Sequence, residues 1–284
     1  MSHHKQNTGT RKRLSARIRS KYSRKLKILL IYPIVGVSQY PPLGIGYLAA
    51  IAEQNDCQVK IIVRRTPYED YSNEDICNQA KVFSPDVIGL TVFDEFSLRD
   101  IYDLMRKLST LKASIVAGGP HATLYPHEVL ENFADIVVRE EGEETFSDLI
   151  EYFKGNMAFK QILGISYKDD SGRIIDNMPR SSIKDLDSLP FPAKHLFNRE
   201  DYIRSTVEKE QGRPFGNIIT ARGCPASCTY CSKNVFGRKF RFRTAESIFA
   251  EIMYLKENYN TISFIIVDDS FTANKKEQTL YAIC

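Results

Sequence analysis

A chain of 284 residues with 43% hydrophobic and 26% charged side chains has the composition of a soluble globular protein of about two domains. No apolar run approaches the ~20 residues that cross a bilayer, no secretory signal is visible, and six cysteines are too few for a disulfide scaffold, so a reducing cytoplasm is the expected location. The net charge of +4 is uneven: residues 1–25 hold nine Lys and Arg and no acid, which leaves the rest of the chain acidic at −5.

Taken in order, residues 1–25 read as a disordered basic tail, solvated rather than bound to nucleic acid. Residues 27–32 form a continuous apolar run closed by Pro33, the pattern of a buried parallel strand. Helical spacing follows over 41–54, with prolines at its start. Strands at 59–63, 87–93, 114–117 and 135–138 then alternate with helices near 74–83, 98–108, 126–133 and 141–153. Five β-α units over residues 26–153 predict a doubly wound α/β domain, a parallel sheet with helices on both faces. Such sheets bind ligands beyond the carboxyl ends of their strands, here the loops at 33–42, 93–97, 118–123 and 139–144.

Residues 154–216 read as a connector. Apolar runs at 162–167 and 173–175 flank Asp169-Asp-Ser-Gly172 and predict a β-hairpin. A turn-rich linker occupies 186–192, and Lys194 and His195 are expected at the surface.

The second domain is expected to span 217–284. A short apolar run, Ile218-Ile219-Thr220, leads into Cys224, Cys228 and Cys231, so the cysteines sit at the end of a strand. Their C-x3-C-x2-C spacing lets one loop aim three sulfurs at a point, and thiolates select zinc, Cu(I) or iron–sulfur clusters. A structural zinc site usually has a fourth protein ligand; three ligands leave one position open. The basic and aromatic stretch 238–243 reads as a solvated strand or loop. Thr244 is a helix N-cap, and Ile248, Ile252, Leu255 and Tyr259 fall on one face of the helix it starts. A strand over 262–267 ends at Asp268-Asp269-Ser270. Cys57 and Cys77 lie in apolar surroundings and read as core residues.

At the cysteines, with Tyr230 before the last of them and Ala221-Arg222-Gly223 ahead, the chain resembles the radical SAM superfamily. Tyr40-Pro-Pro-Leu-Gly-Ile-Gly-Tyr-Leu-Ala49, Ala117-Gly-Gly-Pro-His-Ala-Thr123 and Glu141-Gly-Glu143 resemble the cobalamin-binding domain that precedes the radical SAM domain in one large subfamily. The resemblance implies a partial (β/α)6 barrel beginning at residue 217. It implies a four-iron four-sulfur cluster on Cys224, Cys228 and Cys231, with S-adenosyl-L-methionine (SAM) held by Tyr230, Asp268, Asp269 and Ser270. It further implies cobalamin on Pro42, Leu43, Gly44, Thr91, Gly118, Gly119, Glu141 and Gly142. The implied activity is methyl transfer to, or cyclisation of, a small-molecule substrate through a 5′-deoxyadenosyl radical, with an external electron donor.

Two departures from the family pattern stand out. No Asp-x-His-x-x-Gly motif follows the first strand, which leaves His121 with a hydrogen-bonding or structural role rather than a cobalt contact. Glu140 stands where the family usually has glycine. The alternatives are a methylthiotransferase-like enzyme acting on tRNA or protein, and a fragment that only binds cofactor. Because Leu280 to Cys284 fall inside what should be the second barrel helix, the chain is expected to be truncated and inactive alone.

Overall fold

The computed structural model describes residues 24–33, 40–64, 70–93, 97–198 and 215–271. The expected tail up to residue 23, most of the first loop, the middle of the second, residues 199–214 of the connector and the final helix lie outside these residues.

Five strands build the parallel part of the sheet: β1 (Lys27–Tyr32), β2 (Gln58–Val63), β3 (Val87–Thr91), β4 (Ser114–Gly118) and β5 (Ile136–Val138). Their spatial order is β2-β1-β3-β4-β5, all parallel. β1 reads as an unbroken apolar run because both its faces are covered. Ile28 and Leu30 enter the core under helices α1 (Leu43–Gln54) and α6 (Glu143–Lys154). Leu29 and Ile31 enter the opposite core under α2 (Asn73–Phe83) and α3 (Leu98–Leu108). After β4, two short helices, α4 (Pro120–Leu124) and α5 (Pro126–Glu131), replace the single helix expected there, because Pro126 cannot continue α4.

Local chemistry fixes the helix ends. Ser72 caps α2 in a capping box with Asp75. α6 opens with Glu143 and Glu144 in its first turn, where carboxylates oppose the positive end of the helix dipole, and closes on left-handed Gly155.

The expected hairpin is present as β6 (Ile165–Lys168) and β7 (Ile174–Asp176). It does more than connect. β6 pairs antiparallel with β5 and β7 with β6, so the sheet reaches seven strands and runs on to Asp176.

The cysteine region contributes β8 (Phe215–Ile218), paired in parallel with β11 (Ser263–Ile266), and an antiparallel pair of β9 (Ala221–Arg222) and β10 (Arg241–Phe242). Helix α7 (Ala245–Tyr259) is capped by Thr244, whose hydroxyl accepts from the Ser247 N–H. Its apolar face packs Ile248, Ile252, Leu255 and Tyr259 against Ile218 and Phe264. Among the described residues no helix is long and apolar enough to cross a membrane.

The two regions are joined through a buried polar contact. Lys194, expected at the surface, is only 8% exposed, and its ammonium donates to the Asn217 carbonyl at 3.1 Å and to the Asn217 side chain. Asn217 in turn donates to the Pro41 carbonyl at 2.8 Å. His195 does lie at the surface, paired with Glu53 at 2.9 Å. Burial pushes the Lys194 ammonium down to about 8, with Glu251 pulling the other way. A folded pKa below the unfolded value penalises the folded state in full below pH 8, and the penalty fades as pH rises from about 8 to the ordinary 10.5. The whole window is worth on the order of 3 kcal/mol. Urea unfolding from pH 8 to 10 should therefore show wild-type stability rising relative to a Lys194→Met variant; identical pH profiles would contradict this reading.

Candidate functional site

The strand order reverses between β1 and β3, and a crevice opens beyond the carboxyl ends of the strands at that point, as doubly wound sheets require. It is a cavity of about 940 Å³, near the upper end of the range for ligand clefts, about 300–1,000 Å³. Leu30, Leu90 and Val116 form part of its apolar lining. Pro42, Leu43 and Gly44 from the start of α1, Thr91, Gly118 and Gly119, and Glu141 and Gly142 all line it, so the eight residues grouped from sequence around one cofactor share one space.

Two backbone features shape that wall. Gly119 adopts φ 102°, and a Cβ there would lie 2.9 Å from the Val92 carbonyl oxygen, so only glycine leaves the loop its path. Glu140 adopts φ 61°, with its N–H donating to the Thr123 hydroxyl at 2.9 Å. The backbone thus keeps a left-handed geometry at the position where glycine was expected, at a cost of roughly 1 kcal/mol for a residue with a side chain.

The cysteine loop closes the other side. Gly223, at φ 84°, makes the turn out of β9, and a Cβ there would collide with the Lys239 carbonyl. The Gly223 N–H donates to Asp269 at 3.2 Å and the Cys224 N–H to the Gly237 carbonyl at 3.3 Å. The Asn234 side chain donates to the Pro120 carbonyl at 2.8 Å, tying this loop to the glycine loop after β4. Cys224, Cys228, Cys231 and Tyr230, which is 90% exposed, all face the cavity. The three thiols are free, but among the described residues no three metal-ligating side chains are gathered at one point.

The acidic segment after β11 divides. Asp269 lines the cavity; Asp268 and Ser270 do not. The Asp268 carboxylate accepts from the N–H groups of Thr220 at 2.7 Å and Ala221 at 3.1 Å and from the Thr220 hydroxyl. It pins the end of β8, and burial raises its pKa despite those hydrogen bonds.

Arg241 and Arg243, read from sequence as solvated, are buried. Arg241 forks onto Glu141 and donates to the Ile183 carbonyl at 2.6 Å, and Glu141 also accepts from the Ile183 N–H at 2.9 Å. The Glu141 carboxylate is therefore already engaged where it meets the cavity. Arg243 pairs with buried Glu251 and donates to the Ile219 carbonyl at 3.1 Å. Arg222 is 2% exposed and pairs with Glu143 at 2.6 Å, its guanidinium lying between the rings of Tyr47 and Phe236. Arg222 and Arg241 find their acids far away in the chain, so no local pattern of the sequence marks these pairs.

Three buried nitrogens of cavity-lining residues lack hydrogen-bond partners among the described residues: His121 Nε2, Lys233 Nζ and Arg222 Nη1. His121 is buried, with Glu128 at 3.7 Å. An apolar cleft with unpartnered buried nitrogens in its wall and three thiols outside any disulfide at its mouth fits a large organic cofactor together with a thiolate-bound cluster.

Cys57 and Cys77 are buried, and burial raises both thiols, Cys57 to about 11. Brief iodoacetamide treatment of the native, metal-free chain followed by peptide mapping should label Cys228 and Cys231 first and leave Cys57 and Cys77 unlabelled. Labelling of Cys57 at the rate of Cys228 would contradict the burial described.

Comparison with known proteins gives the following. The B12 binding domain family matches residues 33–150, and the radical SAM superfamily matches residues 218–284. An uncharacterized methyltransferase of Pyrococcus horikoshii is 35% identical over 265 residues, covering 88% of this chain and 55% of its own. Cytidylyl-2-hydroxyethylphosphonate methyltransferase of Streptomyces wedmorensis is 29% identical over 294 residues, covering 87% of this chain and 55% of its own. The structure of the cobalamin-dependent SAM radical enzyme OxsB, with aqua-cobalamin and SAM bound, superposes with a TM-score of 0.72 at 20% identity, over 89% of this chain and 35% of that one. The chain thus spans about half the length of the curated relatives it matches.

Proposed function

The chain belongs to the radical SAM enzymes that carry a cobalamin-binding domain ahead of the cysteine loop, and from that premise we propose that it is the cofactor-binding part of a methyltransferase acting on a small molecule. The observation that carries the proposal is the shared cavity: the glycine loops of the sheet and the three cysteines open into the same space.

Gly118, Gly119 and Gly142 present backbone to the corrin, with Pro42, Leu43, Gly44 and Thr91 beside them. His121, whose buried Nε2 has no partner among the described residues, would hydrogen-bond a polar group of that cofactor. Cys224, Cys228 and Cys231 would ligate three irons of the cluster. Asp269 and Tyr230 face SAM, whereas Asp268 holds the Thr220-Ala221 backbone in place. When bound, these groups supply an electron for reductive cleavage of SAM and a methyl group for transfer. The electron comes from an external donor, and the exposed thiols call for a reducing cytoplasm.

The methylthiotransferase alternative needs further cysteines gathered in the first domain. Cys57 and Cys77 lie in separate cores on opposite faces of the sheet and cannot share a cluster.

The reading is tested by anaerobic reconstitution with iron and sulfide and by titration with hydroxocobalamin. The chain should take up about four irons and one corrin. Cys228→Ala should lose the cluster absorption and keep the corrin. Gly119→Ala should keep the cluster and weaken corrin binding by about tenfold or more, as a strained backbone position implies. One zinc per chain with no cluster, or a corrin affinity unchanged in Gly119→Ala, would count against it.

A further inference from the structure

Arg222 lies two residues before Cys224, and its buried side chain sits where the two domains meet along the wall of the cavity. There its guanidinium donates to Glu143 at 2.6 Å, with Glu141 at 3.9 Å and the rings of Tyr47 and Phe236 on its sides. Glu143 is itself buried and opens α6, directly after Gly142 of the cavity wall. Phe236 belongs to the segment that returns from the cysteines, and its carbonyl accepts from Arg241, the partner of Glu141. Two acids of the first domain thus hold two arginines of the second, one on each side of the cysteine loop.

We propose that Arg222 and Glu143 are positioning residues for the cluster: the sheet domain, through this ion pair, sets the height and tilt of the cysteine loop above the cavity. The inference rests on the cluster-and-corrin reading above and adds a role for residues outside either ligand set. The chemistry favours placement over simple bracing. A buried ion pair gives little net stability compared with apolar packing, but the hydrogen bond from Nη2 to Glu143 and the rings of Tyr47 and Phe236 against the guanidinium together restrict its orientation. A lysine in place of Arg222 would retain the charge and lose the planar group that packs on the two rings.

The test uses the whole chain carrying Glu143→Gln, Arg222→Lys or Glu143→Asp, each reconstituted anaerobically. Three quantities are read: iron retention against a chelator, the EPR signal of the reduced cluster, and hydroxocobalamin affinity. Glu143→Gln and Arg222→Lys should lower apparent iron affinity by about tenfold, as loss of a supporting contact behind metal ligands does. They should also change the g-anisotropy of the cluster and leave corrin affinity unchanged, with Glu143→Asp intermediate. Iron affinity and EPR lines equal to wild type would overturn the proposal. So would parallel loss of corrin and cluster in Arg222→Lys and Glu143→Asp, which would make the pair a general brace. A wild-type chain that binds neither ligand would instead remove the reading on which the proposal rests.

Discussion

The arrangement depends on charge buried between two domains. Arg222, Arg241 and Arg243 are almost fully excluded from water, and each finds a carboxylate, in Glu143, Glu141 and Glu251. Removing one partner from such a pair typically costs about 3–5 kcal/mol, because the other charge stays buried and uncompensated. The first two pairs cross from the sheet domain to the cysteine region, so sliding one domain over the other would strand charges. Aromatic rings around Arg222 and the Lys194–Asn217–Pro41 chain extend the same junction. An apolar seam would tolerate rotation; the Arg241–Glu141 fork and the hydrogen-bonded Arg222–Glu143 pair do not.

That constraint gives the cavity its character. A doubly wound sheet offers a crevice at its switch point, but the crevice alone is one-sided. Here residues 141–143 serve both sides. Gly142 is part of the wall, while Glu141 and Glu143 turn to the arginines of the facing domain. The Asn234–Pro120 contact ties the cysteine loop to the glycine loop in the same way. One short segment thus shapes the binding surface and sets what lies opposite it.

Much of this was legible in the sequence, for local reasons. β1 declared itself by a run of apolar residues, α7 by Thr244 and its i, i+4 stripe, the hairpin by Asp169-Asp-Ser-Gly172, and the cysteine loop by spacing. The eight residues grouped around one cofactor do line one cavity because they end consecutive strands, and strand ends of a parallel sheet are neighbours. What sequence could not give was the partner of a charge. Arg241 looks solvated beside Lys239 and Arg243, and only the fold brings Glu141 to it. Lys194 looked exposed because lysine usually is. Asp268 was grouped with Asp269 and Ser270 because the three stand where the resembled family holds SAM, yet its carboxylate is taken up by the Thr220 and Ala221 backbone while Asp269 lines the cavity. Glu140 departs from the expected glycine in residue type, while its backbone keeps the left-handed form that position needs.

In the arrangement proposed above, corrin and cluster occupy one cavity and face each other across it. The most direct measurement is the EPR spectrum of the chain loaded anaerobically with both, the cobalt in its divalent state and the cluster reduced. The two spins should show dipolar interaction, seen as splitting or as faster relaxation of the cobalt signal. A spectrum equal to the sum of those from the chain loaded with each group separately would contradict it.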